Sequence, residues 1–133
     1  MLKGILSKIM ISGTLLVGLM SATAFASTWT ISQENVSDSG RWSTLGSSNT
    51  KTTNDNDASF NGDALPNWKG YNVKLINSKL EARSSKTGLY LDKTSYAGNN
   101  SGLVGYGYYA DVRSAPSEPN FSNVKLHFSA DHK

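Results

Sequence analysis

Apolar side chains fall at every second position near the C-terminal end of this chain. In Phe121–Ala130, Val124, Leu126, Phe128 and Ala130 share one face, while Asn123, Lys125, His127 and Ser129 take the other. A period of two predicts a half-buried strand, because successive side chains point to opposite sides of a sheet. Leu103–Ser114 behaves similarly. Tyr106, Tyr108, Ala110 and Val112 share a face, opposed by Gly105, Gly107, Tyr109, Asp111 and Arg113. Between the runs, Pro116 and Pro119 withhold ladder hydrogen bonds and predict a loop. So short a connection predicts antiparallel pairing, with the two runs as the central hairpin of a sheet.

Further upstream, Thr28–Ser32 alternates β-branched and aromatic residues with polar ones and predicts a first strand. Asn35–Gly40 carries turn chemistry, and Arg41–Leu45 is a candidate short strand. From about residue 46 to 63 the composition shifts to Ser, Thr, Asn, Asp and Gly, with Phe60 the one aromatic. So little apolar area cannot offset ordering entropy, which predicts a long exposed polar loop. Tyr71, Val73 and Leu75 then alternate with polar residues, as do Leu80, Ala82 and Ser84 with charged ones. Ser85–Gly88 predicts a turn into Leu89–Leu91, and Gly98–Gly102 a second turn. Short strands at this spacing, with no sustained helical period and no internal repeat, predict an all-β fold. A small antiparallel β-sandwich or a partly open barrel is expected, with a single open sheet as the alternative.

The first 26 residues stand apart. Lys3 and Lys8 precede an apolar run, Ile9–Met20, and Ala24-Phe25-Ala26 supplies small residues at a cleavage site. This is the pattern of a secretory signal peptide, too short in its apolar core for a stable membrane span. Export is therefore expected, and residues 27–133 form one secreted domain. Losing Lys3 and Lys8 from thirteen basic residues, against ten acidic ones, leaves a net charge of +1. So even a balance argues against nucleic acid as a partner. Cysteine is absent, which removes disulfides, thiol catalysis and thiolate metal sites. A cysteine-free export of this size resembles secreted proteins of Gram-positive bacteria in format only.

Candidate chemistry is sparse. His127 lies on the expected outer face of the last strand, and His132 next to the chain end reads as a frayed terminus. No serine sits in a nucleophile elbow, so a triad through His127 has no support. Asp111 interrupts an aromatic strand with Arg113 on the same face, which predicts an ion pair; a glycosidase would need a second carboxylate that the sequence does not nominate. Asp55, Asp57 and Ser59 offer oxygen atoms at alternate positions as calcium loops do. Phe60 and Pro66 replace the turn glycine and the bidentate glutamate, so no metal site is assigned. Gly105-x-Gly107-x-x-Ala110 imitates a dinucleotide fingerprint but opens no helix, and no cofactor is implied.

Aromatic residues remain as the one surplus. Tyr106, Tyr108, Tyr109 and Trp68 are the candidate binding residues, since exposed Tyr and Trp bury much area at little entropic cost. The expected function is a secreted, non-catalytic domain that contacts an extracellular protein or a cell-envelope polymer. A bacteriocin-like toxin acting on neighbouring bacteria is the second expectation, and a small hydrolase built on His127 or Asp111 the third.

Overall fold

The computed structural model describes residues 27–133. The expected leader, residues 1–26, lies outside the described residues. Eight strands form among the described residues: β1 (Thr30–Val36), β2 (Ser48–Thr50), β3 (Ala58–Ala64), β4 (Tyr71–Ile76), β5 (Thr87–Leu89), β6 (Thr94–Ala97), β7 (Gly107–Ser114) and β8 (Ser122–Ser129). They make two antiparallel four-stranded sheets, ordered β1-β8-β3-β6 and β2-β7-β4-β5. No helix occurs among the described residues. The arrangement is sandwich-like, because one buried cluster draws on both sheets. Val124, Leu126, Phe128 and Phe60 come from the first; Val73, Leu75, Tyr108, Ala110 and Val112 come from the second. Phe60 stacks on Phe128 with centroids 6.0 Å apart.

The alternation of the C-terminal strands is correct, but their pairing is not. Val124, Leu126 and Phe128 are fully buried, as are Ala110 and Val112. Yet β7 and β8 belong to different sheets, so the expected central hairpin does not form. Alternation fixes which face is apolar and is silent on whether two apolar faces lie side by side or opposite each other. The proline-bearing link, turned by a Glu118 N–H to Ala115 carbonyl bond, carries the chain across the roughly 10 Å between packed sheets. Every connection between consecutive strands crosses in this way, except that from β4 to β5.

The expected polar loop at 46–63 is also corrected. It holds β2 and most of β3, and β3 is an inner strand between β8 and β6. Ala58, Phe60 and Gly62 are buried, so this face of the strand belongs to the core. Gly62 is required, since a Cβ there would meet the Tyr90 carbonyl oxygen at 2.8 Å, the same oxygen that accepts the Gly62 N–H. Arg41–Leu45 makes only an isolated bridge through Trp42 to Arg113. The expected strand over Leu80–Ser84 is likewise a turn and one bridge, because Leu80 adopts φ 65°.

Two ends follow from this topology. Tyr71 pairs with Ser114 and its hydroxyl lies 2.8 Å from that of Ser122, while Ser114 Oγ donates to the Ser37 carbonyl. The loops at 37–41, 65–70, 90–93 and 115–121 therefore crowd one end, here the Tyr71 end. The segments at 51–57, 77–86 and 98–106 crowd the other, the Gly107 end.

Candidate functional site

The four aromatic residues expected to bind do not converge. Trp68 is 89% exposed at the Tyr71 end, and Tyr106 is 62% exposed at the Gly107 end. The length of β7, on the order of 25 Å, separates them. Tyr108 is a core residue, 4% exposed. Its hydroxyl accepts the Leu103 N–H at 2.6 Å, so it positions the turn before β7 and adds little exposed area to the groove beside it. Tyr109 sits half-buried, paired in register with Ser48 and Ile76. Of the four, Tyr106 and Tyr108 line one groove, in which Tyr106 is the exposed ring.

That groove, about 520 Å³ and wide open, runs between the turn 77–83 and the turn 101–107. Asn77 builds one wall. Its side-chain oxygen accepts the N–H groups of Lys79 and Glu81, and its carbonyl accepts that of Leu80. These bonds hold Leu80 at φ 65°, a left-handed conformation that costs about 1–2 kcal/mol for a residue with a Cβ. The Asn77 amide also donates to Glu81 Oε1 at 2.8 Å, and Arg83 Nη2 approaches the same atom at 3.1 Å. The Asn77 bond is the chief reason that the Glu81 carboxyl is held below its usual pKa, with Arg83 and Lys79 adding to it. Ser101, Leu103 and Tyr106 form the other wall. Gly105 at φ 92° closes that turn, and Lys51 anchors it through its backbone, accepting from Gly105 N–H and donating to the Tyr106 carbonyl. The result is a rigid cleft with one exposed ring, aliphatic flanks and a set of amide, carboxylate and guanidinium groups.

Lys51 is itself only 1% exposed. Its Nζ donates to the carbonyls of Asp55 and Ala130 at 3.1 Å and lies 3.4 Å from Asp131 Oδ1. Burial would raise the Asp131 pKa, but four bonds from the amides and hydroxyls of Thr52 and Thr53 outweigh it and hold the carboxyl below its usual value.

A second cluster is enclosed. Asp111 makes no ion pair with Arg113, whose guanidinium instead lies 4.6 Å from the Trp42 ring centroid. It meets Glu34, a residue the sequence did not nominate, through Ser43. Ser43 Oγ lies 2.9 Å from Glu34 Oε1 and 3.1 Å from Asp111 Oδ1, and it accepts the Val112 N–H at 3.1 Å. A hydroxyl has one proton to give and two lone pairs to fill. With Val112 on one lone pair, all contacts are satisfied only if one carboxyl is protonated and donates while the other accepts. Burial pushes Glu34 up to about 7 and Asp111 up to about 6, in each case against the opposing bonds from serine. Neither acid faces a substrate path. Glu34 is 2% and Asp111 4% exposed, and a Cβ on Gly46 would collide with Glu34 Oε2 and Ser32 Oγ. No outward signal marked Glu34, which reads as a solvent-facing acid in a polar stretch.

Both histidines are more ordered than expected. His127 Nδ1 lies 2.8 Å from Asp63 Oδ1, with Trp29 edge-on at 4.7 Å. His132 is not frayed: it stacks on Tyr96 at 4.4 Å, and its Nδ1 lies 2.8 Å from Asp57 Oδ1. No hydroxyl nucleophile completes either pair among the hydrogen bonds of the described residues. In the calcium-like stretch, Asp55 Oδ2 accepts the His132 N–H, so Asp55 and Asp57 both meet His132. Asp57 faces His132, Ser59 donates to the Asp131 carbonyl, and Asp63 lies further along the strand against His127.

Comparison with protein-family models, with curated proteins and with solved structures returned no match. The class of the molecule is a two-sheet antiparallel β domain, and its function is argued from the groove.

Proposed function

We propose that residues 27–133 form a secreted, non-catalytic β-sandwich module whose Tyr106 groove contacts a glycan of the cell envelope. The observation that carries this reading is an exposed tyrosine ring beside a pre-ordered polar cleft. A sugar ring presents an apolar face suited to an aromatic plate, and hydroxyls suited to the planar donors and acceptors of Asn77, Glu81 and Arg83. Little ordering entropy is lost on binding, because the Asn77 bonds and the Lys51 anchor hold both walls beforehand. The closed setting of Glu34 and Asp111 supports a binding role over hydrolysis.

The test is a binding isotherm of residues 27–133 on isolated cell-wall glycan. Tyr106→Ala weakens binding by about tenfold or more, as loss of a central aromatic anchor does. Its melting temperature stays unchanged, since the ring is exposed. Equal retention of wild type and variant, or retention of neither, contradicts the reading.

A further inference from the structure

The Tyr71 end carries a second, separate surface. Trp68, 89% exposed, and Phe121, 72% exposed, project from neighbouring loops joined by an Asn67 Nδ2 to Asn120 carbonyl bond at 3.4 Å. Tyr90 and Leu91, each about half exposed, lie in the turn beside them, with the Tyr90 ring folded back over Gly88, and Lys69 shares a small groove with Tyr90. Each polar-tipped ring carries a cation. Lys69 Nζ lies 5.5 Å from the Trp68 centroid, and Lys93 Nζ lies 5.4 Å from that of Tyr90. The other acids at this end are paired or buried, apart from exposed Asp92 beside Lys93. Asp38 pairs with Arg41 at 2.6 Å, and buried Glu118 accepts the Asn120 N–H. Lys69 also reaches Ser117 Oγ at 3.3 Å, which ties the loop of Trp68 to that of Phe121.

We infer that this end is a docking surface for an anionic lipid bilayer, with Trp68 and Phe121 entering the headgroup boundary and Lys69 and Lys93 meeting phosphates. Rings at the tips of separate loops form a projection, which suits a deformable interface. Tryptophan and tyrosine with adjacent lysines match the polarity step of that interface, where rings leave water and cations stay in it. Two lysines near the surface add attraction that depends on lipid charge. Pro66 and Pro119 limit the freedom of both loops and so the entropy lost on docking. The described residues contain no helix that could cross a membrane, and none is needed for contact of this kind.

Residues 27–133 contain both sheets and the whole buried cluster and are the unit to test. Sedimentation with phosphatidylcholine vesicles is compared with vesicles in which about a third of the lipid is phosphatidylglycerol. Binding to the anionic vesicles is expected, with at least about tenfold weaker partition for Trp68→Ser with Phe121→Ser, and a smaller loss for Lys69→Gln with Lys93→Gln. Melting temperatures report that each variant is folded, and Tyr106→Ala should partition as wild type. No partition of the wild type, equal partition of the ring variant, or capture of a protein at this end without vesicle binding overturns the inference. None of those outcomes bears on the Tyr106 groove.

Discussion

Ser43 Oγ ties Glu34 to Asp111, and its single proton makes the pair sensitive to pH. Both folded-state values, about 7 and about 6, lie above the ordinary 4.5 and 3.8, so the folded chain keeps a proton that the unfolded chain releases. The stabilisation is complete below the ordinary values and fades as pH rises through about 6 to 7, by on the order of 3 kcal/mol. Asp131 acts with opposite sign. Its lowered value stabilises the fold above the ordinary carboxylate range, and that contribution is lost as pH falls through it. Thermal melts should therefore peak near about pH 4–5 and fall toward about pH 8. Glu34→Gln should flatten the alkaline side, because a carboxamide can donate to Ser43 at any pH while its oxygen still accepts from Ser32 at the site of the 2.6 Å bond. A wild-type profile with no decline on that side would contradict the shared proton. This pair was illegible in the sequence for a physical reason. A buried acid on an inward face looks the same as an exposed one until the strap at 41–47 is seen to cover it.

At the level of the strand, β3 is the sharpest test of the architecture. Phe60→Ala should cost about 3–5 kcal/mol in denaturant unfolding, whereas Phe121→Ala should change stability by no more than about 0.5 kcal/mol. A loop at 46–63 would make Phe60 as dispensable as Phe121. The sequence concealed β3 because its inward residues other than Phe60 are Ala58 and Gly62, which carry little apolar signal, and the Gly62 requirement comes from Leu65 and the Tyr90 carbonyl in adjoining loops. β8 was legible because Val124, Leu126 and Phe128 alternate with polar residues without interruption. The residues after β8 are a structural clamp and not a loose tail. Asp131→Ala would leave the Thr52 and Thr53 amides without a partner and the buried Lys51 ammonium without a counter-charge, and should cost about 3–5 kcal/mol.

Across the whole molecule, the aromatic surplus was legible but its distribution was not. Tyr106, Tyr108 and Trp68 read alike in sequence, yet one lines a groove, one fills the core and one tops the opposite end. What separates them is the pairing of Tyr71 with Ser114, a tertiary fact that local alternation cannot encode. The Gly107 end presents an ordered polar cleft with one free ring, and the glycan reading rests on that end alone. The measurement that tests it most directly is the amide NMR spectrum of residues 27–133 titrated with soluble cell-wall glycan fragments. Shifts confined to Asn77–Arg83 and Ser101–Gly107, with Trp68 and Phe121 unmoved, are the predicted result. Shifts centred on any other face, or a spectrum unchanged at saturating fragment, would contradict it.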